Sequence, residues 1–236
     1  MTTLLDLVTE AFADIGGLVV PSYLFANEDD LAKQTISIAK KIGRELTRDH
    51  DFQERLKIAT VTTSNGVDNY PLEADCDRIV SDTSWDSLRR RQMWGNTTSR
   101  QWAAVTNSRI QVSVTHWWRL QNNKIYVTPK PTDAWTFDYE YRSKYYCSNN
   151  AGTEQAQWLA DNDIWLLSDD LFIAGVSYYV RKANNLPYAD AEAEYNAIIA
   201  RREATNMPSP VIDLSATVPK VRNQFPPLNI PDHVDA

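Results

Sequence analysis

The sequence predicts an α+β protein: a helical bundle formed from the N- and C-terminal helices, with a β-rich insertion and an extended C-terminal arm. Three observations support this fold class. Apolar residues recur at helical spacing in residues 1–55 and again in 151–206, whereas residues 56–150 are rich in β-branched and alternating side chains. Prolines concentrate in residues 207–236. We therefore expect the first two ranges to build the bundle, the third to form the insertion domain, and the last to form the arm.

The first fifty residues predict two helices. The first ends at Gly16-Gly17, and its apolar face comprises Leu4, Val8, Ala11, Phe12 and Ile15. The second begins near Asn27, whose side chain is expected to cap the free backbone N–H groups while acidic residues occupy the positive end of the dipole. Its apolar face comprises Leu31, Ile38, Ile42 and Leu46. The second helix is therefore amphipathic and has one face to bury.

Residues 56–147 predict a β-rich module with a short helix near Thr98–Val105. Ser64-Asn-Gly66 and Gln121-Asn-Asn123 are turn signals. Within Trp135–Tyr141 large rings alternate with polar residues, as expected of a strand with one buried face. The strand candidates are Lys57–Thr63, Arg78–Asp86, Arg109–Leu120, Lys124–Thr128 and Trp135–Tyr146.

Two further helices are predicted after residue 150. Ser168 is expected to cap a helix whose run Leu171–Tyr179 is apolar on all sides, which indicates packing on several faces. Asn184–Pro187 breaks this helix, and the next runs from about Tyr188 to Thr205. The two are expected to form a helical hairpin.

The last thirty residues hold six of the eleven prolines and no glycine, which disfavours helix and central strand. A disordered tail would normally be less apolar. We interpret residues 207–236 as an extended arm that lies on a surface of its own chain or of a partner; the alternative is a frayed terminus. The apolar residues assigned to this arm are Val211, Ile212, Leu214, Val218, Val221, Phe225, Leu228 and Ile230.

Composition excludes several classes of protein. The 236 residues carry a formal net charge of −7, which is unlike a generally basic nucleic-acid binder. Cys76 and Cys147 are the only cysteines, so a disulfide framework or a multi-cysteine zinc site is not available. The N-terminus has no basic region typical of a signal peptide, and no apolar run approaches the ~20 residues that span a bilayer. We expect a soluble protein made in a cytosol.

Candidate chemistry is sparse. Asp49-His50-Asp51 resembles a base beside carboxylates, but adjacent residues at a helix end do not converge as a triad or a metal site requires. Asp75 and Asp163 are the acids that a hydrolase with paired carboxylates would use, a weaker alternative than capping or loop solvation. The sequence contains no HExxH, GxSxG, Walker A, GxGxxG or paired CxxC motif. We predict no enzyme, no cofactor and no metal.

Charge is unevenly distributed. Residues 78–109 hold six Arg against two Asp, whereas residues 151–206 hold nine acids against four bases. The Arg-rich part, interleaved with Trp, would suit phosphates, a glycan or the acidic part of a neighbouring copy. A head-to-tail contact of the last kind closes into a ring when its rotation permits. The candidate residues for a subunit or tail contact are Arg89, Arg90, Arg91 and Trp94.

The chain resembles the head-to-tail adaptor, or head-completion, proteins of tailed bacteriophages, the group that includes tail tubular protein A. The resemblance lies in Tyr70–Ile79 with Thr83–Asp86, in Phe137–Tyr141 with Lys144, and in Trp165–Leu171 with Tyr188–Glu192. It implies a virion neck (connector) protein assembled in the host cytoplasm, in a ring commonly of twelve copies below the portal. The C-terminal extension would reach the portal, and the other side would receive the tail or nozzle. The resemblance implies no cofactor.

An acidic ring around DNA is physically sensible, because carboxylates repel the phosphate backbone and let the genome slide during ejection. The alternative is a tail module whose aromatic residues bind glycans or a host surface. Candidate channel-lining acids are Asp161, Asp163, Asp190, Glu192 and Glu194.

Overall fold

The computed structural model describes residues 2–19, 21–107 and 115–206, and this part of the chain contains five α-helices and eleven β-strands. The helices are α1 (Leu4–Ile15), α2 (Asp30–Asp49), α3 (Ser99–Asn107), α4 (Asp169–Ala183) and α5 (Ala189–Asn206). The strands are β1 (Leu56–Thr62), β2 (Asn69–Pro71), β3 (Cys76–Ile79), β4 (Trp85–Asp86), β5 (Arg91–Gln92), β6 (Trp117–Gln121), β7 (Lys124–Thr128), β8 (Thr136–Ser143), β9 (Cys147–Ser148), β10 (Glu154–Gln155) and β11 (Ile164–Trp165). The predicted mixed α+β class is confirmed.

The first helix follows the prediction closely. Thr3 and Asp6 form a reciprocal capping box at the start of α1, which satisfies two backbone N–H groups that the helix leaves free. The helix ends at Gly16, whose φ of +65° is a left-handed conformation that glycine adopts without steric cost.

The predicted start of α2 is two residues too early. Asp29 is the N-cap and accepts from the Leu31 N–H at 3.5 Å, whereas Asn27 Oδ1 accepts from the Asp29 N–H at 3.0 Å. Asn27 therefore shapes the turn that precedes the helix. Asp and Asn are about equally good caps, so composition alone does not choose between them.

Helix α4 packs against α1, α2 and α5, which explains its apolar character on all sides. Ser168 occupies the predicted N-cap position, but its side chain makes no capping hydrogen bond. Its Oγ instead accepts from the Arg202 guanidinium of α5. The prediction that the Ser168 side chain caps α4 is therefore wrong.

Strand β8 is the centre of the largest sheet, which is antiparallel throughout. It pairs along its length with β1, and its other edge pairs with β3 and β4, the latter also pairing with β5. Alternate residues of β8 are buried, and these include Phe137, Tyr139 and Tyr141. The predicted alternation of rings and polar residues is confirmed. Two smaller sheets have the orders β10-β9-β11 and β2-β7-β6.

The predicted Gln121–Asn123 turn joins β6 to β7 through Asn122 and Asn123, both with positive φ, as a tight two-residue hairpin requires. The strand predicted over Arg78–Asp86 is wrong in extent. It is divided into β3 and β4, with Asp82 at φ +62° between them. The strand predicted over Arg109–Leu120 corresponds to β6, which begins at Trp117. Residues 108–114 lie outside the described part of the chain.

The buried apolar residues form two clusters. One joins α1, α2, α4 and α5 to Tyr146, Cys147, Trp158 and Trp165, and the other lies within the sheets, around β8. The domain boundaries at residues 55 and 150 stay a prediction. Both cysteines are free, as predicted; burial raises the pKa of Cys147 to about 12 and that of Cys76 to about 11. Among the described helices, none is long and apolar enough to cross a membrane.

Candidate functional site: a basic hairpin and an acidic groove

The β4–β5 hairpin is fastened to the sheet by a buried carboxylate. Asp86 is 2% exposed, and its Oδ1 accepts from the Arg89 backbone N–H at 3.0 Å. Its Oδ2 lies 2.7 Å from Nδ1 of His116, a buried ring that stacks on Trp135 with centroids 4.3 Å apart. Nη1 of Arg89 lies 2.7 Å from Nδ1 and 2.8 Å from Nε2 of His116. These contacts fix the loop between β4 and β5.

The same contacts indicate that His116 is neutral. Burial lowers the pKa of His116; the carboxylate of Asp86 opposes this effect and the positive charge of Arg89 adds to it. A neutral ring with its proton on Nδ1 donates to Asp86 and leaves the unprotonated Nε2 as the acceptor open to Arg89. The cluster therefore holds one carboxylate and one guanidinium around an uncharged imidazole.

The hairpin tip exposes both apolar and basic groups. Trp85 is 48% exposed and Leu88 is 59% exposed. Arg90 and Arg91 are also exposed, and within the described part of the chain their side chains have no ion-pair partner. We refer to these four residues as the basic tip. Exposed apolar side chains beside guanidinium groups are typical of protein contact surfaces.

The four residues predicted as a subunit or tail contact thus occupy different environments. Arg90 and Arg91 are exposed at the tip, whereas Arg89 is directed toward Asp86 and His116. Trp94 is half-buried and stacks on Trp117, with centroids 6.0 Å apart. The contact role of all four stays a prediction.

A groove of about 850 Å³ lies between α1, α4 and α5. Its apolar lining includes Ile173, Ala174 and Ile198. Three arginines line it as well, of which Arg181 donates to the Asp14 carbonyl at 2.8 Å. Its carboxylates, all of them exposed, are Glu10, Asp14, Asp170, Asp190 and Glu194. We refer to this feature as the acidic groove.

Two of the predicted channel-lining acids hold the backbone instead. Asp161 accepts from the N–H groups of Leu24 and Phe25, both at 3.0 Å, and so ties the loop before α2 to the segment before α4. Asp163 is 2% exposed and accepts from the N–H groups of Leu159 and Ala160 at 2.7 and 2.9 Å. The assignment of Asp163 to a channel wall is therefore wrong, because its carboxylate is buried within its own chain.

The three predicted acids of α5 lie on different sides of the helix. Asp190 and Glu194 line the acidic groove. Glu192 is half-buried and accepts from the Tyr178 hydroxyl at 2.7 Å. The eight apolar residues assigned to the arm, with the rest of residues 207–236, lie outside the described part of the chain.

The residues considered for catalysis have partners that explain them. His50 Nδ1 lies 2.7 Å from Glu203 Oε1 and so links α2 to α5. Asp49 pairs with Arg48, and Asp51 pairs with Arg78. The described residues contain no group of three His, Cys, Asp or Glu side chains that could hold a metal ion.

Asp75, the other acid considered, is the centre of a hydrogen-bonded cluster. It accepts from Lys57 Nζ at 2.7 Å and from the Tyr141 and Ser143 hydroxyls at 2.9 Å. Burial disfavours its ionised form, but these hydrogen bonds prevail and hold the pKa of Asp75 below its usual range. Lys57 also pairs with Glu154 of β10. The cluster joins three elements.

Sequence reasoning did not identify Leu88 as an exposed side chain or α1 as one wall of a groove. A signal for the first is Leu88 itself, an apolar residue in a short loop beside three arginines. No local signal indicates the groove, because its walls are about 160 residues apart in the chain.

The comparisons with known proteins are consistent with a structural role. A family model described as SU10 adaptor protein matches residues 2–213, which is nearly the whole chain. The search of curated proteins gives no match. Members of an adaptor family are generally non-enzymatic, and the family implies portal and tail partners. The chain therefore belongs to the SU10 adaptor protein family and is a phage adaptor, a component of the virion.

Proposed function

We propose that this adaptor forms a ring of twelve copies between portal and tail, closes the DNA-filled head, and provides the channel through which the DNA leaves. The observation that carries the proposal is the family match over residues 2–213. The exposed basic tip and the acidic groove support it, since a ring subunit needs two different surfaces that meet its two neighbours.

The arm is proposed to dock on the portal. An extended apolar segment that becomes ordered on binding buries a large surface per residue. Deletion of residues 207–236 should leave a folded protein that no longer attaches to portal rings. Electron microscopy of the protein mixed with purified portal would show attachment and ring size together.

A matched variant keeps the arm length and removes four of its eight assigned apolar groups. Replacing Val211, Leu214, Val218 and Phe225 by Ser should weaken attachment as strongly as the deletion does. Undiminished attachment of either variant would refute the role of the arm. Ring formation on the portal is a separate result, which is scored in the same images.

The inner wall of the ring is proposed to be acidic. The candidates are the three predicted acids of α5, because Asp161 and Asp163 hold backbone N–H groups. Asp190 and Glu194 face the DNA only if the acidic groove opens to the channel, so the test uses Glu192. Replacing Glu192 by Lys should make assembled rings retain duplex DNA at low salt, because an added phosphate contact raises a salt-dependent affinity. The charge-matched control changes one exposed acid elsewhere, Glu73. Equal retention by both variants would contradict an acidic wall at α5.

A glycan-binding module is less well supported. Trp118, Trp135, Trp158 and Trp165 are all buried, so they serve the core and are not available as stacking platforms. Trp85 is the tryptophan that the described residues expose most. Quenching of tryptophan fluorescence by glycans, lost on Trp85→Ala, would favour this function.

A further inference from the structure

The basic tip is presented by a rigid loop. Asp86 holds the Arg89 N–H, and the Ser87 N–H donates to the Thr136 carbonyl at 3.1 Å. A loop that is fixed before binding loses little conformational freedom when it meets a partner. The tip therefore has the rigidity expected of a docking element.

Arg90 adds a second observation, from the backbone. Its φ is +51°, in the left-handed region that glycine adopts freely and a residue with a Cβ adopts at a cost. Glycine would fit this loop position better than arginine. Arginine therefore occupies a position where the backbone disfavours a side chain. Such a cost is typical of residues with a binding role, which for Arg90 would belong to its guanidinium group.

The acidic groove is opposite to the basic tip in net charge, because its five carboxylates outnumber its three arginines. None of its five carboxylates has an ion-pair partner within the described ranges 2–19, 21–107 and 115–206. Ile173, Ala174 and Ile198 supply apolar surface between them. Exposed carboxylates beside apolar groups are the chemistry that Leu88, Arg90 and Arg91 would meet.

We propose that the acidic groove of one copy receives the basic tip of the next copy. This inference rests on the proposed ring and specifies its subunit contact. The two surfaces differ and lie on different elements, so the contact is head-to-tail and leads to a closed ring or an open filament. DNA is a poorer occupant of the groove, because its phosphates would meet the carboxylates there.

The contact has a consequence for the channel. With the groove filled, Asp190 and Glu194 face the neighbouring subunit. Glu192 is then the α5 acid that remains for the channel wall.

A zero-length cross-linking experiment tests the contact. A carbodiimide joins lysine amines to carboxylates in direct contact, and Arg90→Lys/Arg91→Lys introduces such amines while keeping the charge. Mixing this variant with isotopically labelled wild type distinguishes links between copies from links within one. We expect links from positions 90 and 91 to Glu10, Asp14, Asp170, Asp190 or Glu194 of another copy, at least tenfold above the wild-type chain, whose arginines do not react.

The reaction is run on the full chain alone at high concentration and again with portal rings. Links from positions 90 and 91 only to carboxylates outside the groove, or none under either condition, would overturn the proposed contact. Attachment to the portal is scored in the same samples. Attachment without these links refutes the contact and leaves the adaptor function unaffected. Links without attachment support the contact and contradict the proposed attachment to the portal.

Charge exchange supplies a second test. Arg90→Glu/Arg91→Glu and Asp14→Lys/Glu194→Lys should each abolish ring assembly, and the chain with all four changes should recover it. Arg90→Gly is the control for folding, because it suits the backbone and removes only the side chain; it should weaken assembly at least tenfold with an unchanged circular-dichroism spectrum. Assembly that survives both charge reversals would also overturn the proposal.

Discussion

Replacing Gly43 by Ala should destabilise the protein, although alanine favours helix. Gly43 lies inside α2, where a Cβ would stand 2.5 Å from Cε2 and Cζ of Tyr146. Ordinary contact begins near 3.4 Å, so the ring or the helix would have to move by about 0.9 Å. Tyr146 is 1% exposed and packs against Trp158 and Trp165, with centroids 6.0 and 5.9 Å away, which leaves the ring little room.

The magnitude follows from two opposing effects. Overpacking a rigid core costs about 1–3 kcal/mol, and the upper end applies because three ring atoms lie within 2.7 Å of the new Cβ. The gain in helix propensity from Gly to Ala is about 1 kcal/mol. We expect the free energy of unfolding to fall by about 2 kcal/mol, which lowers Tm by roughly 5 °C for a chain of this size.

Urea denaturation followed by tryptophan fluorescence measures this change. The control is the same substitution in a Tyr146→Leu background, where the ring is absent and the propensity gain should dominate, so that Gly43→Ala becomes neutral or stabilising. If Gly43→Ala raises the free energy of unfolding in the wild-type background, the close approach of α2 to Tyr146 is refuted.

Three further predictions concern buried polar groups. The pKa of His116 is lowered in the folded state, so the unfolded chain binds more protons than the folded chain below about pH 6.5. The free energy of unfolding should therefore fall as the pH drops below that value. His116→Gln should reduce this pH dependence in acid titrations followed by circular dichroism. Asp161→Ala should cost about 2 kcal/mol and speed proteolysis of the loop before α2, whereas Asp161→Asn, which keeps an acceptor, should cost less; equal losses would contradict the backbone role. Asp75→Ala should destabilise more than Lys57→Met in urea, because it leaves the buried hydroxyls of Tyr141 and Ser143 without their acceptor, whereas Lys57→Met leaves Asp75 both hydroxyl partners.

Local patterns in the sequence were sufficient for much of the fold. The helical spacing in α1 and the turn at Asn122-Asn123 depend on residues within one turn of the chain, and the structure has both where they were predicted. The break at Asp82 was missed because β-branched and aromatic residues on both sides of it favour strand, and only pairing with β8 reveals two separate strands.

Long-range contacts determine the features of the fold and of the candidate site that local sequence patterns do not predict. Asp86 lies 30 residues from His116, and Asp161 lies 137 residues from Leu24, so neither pair has a sequence signal. Asp163 shows the same difficulty at short range: an acidic segment predicts a solvent-exposed carboxylate, yet Asp163 accepts from backbone N–H groups three and four residues earlier. Whether an acid faces water or the backbone depends on the turn it stabilises.

Net charge and local charge act in opposite directions on assembly. Each copy carries a formal charge of −7, so two free copies repel one another over a range set by the Debye length, which is about 8 Å at physiological ionic strength and longer at low salt. The basic tip and the acidic groove attract only at closer range, where their pairs are partly shielded from solvent and are less weakened by salt. A portal that binds copies side by side brings them together against the net-charge repulsion, in the way that a linker raises effective concentration. The local attraction between the basic tip and the acidic groove then acts. The charge distribution therefore favours free monomers and assembly on the portal, and it predicts that raising salt from very low to physiological levels increases assembly before higher salt weakens the contact.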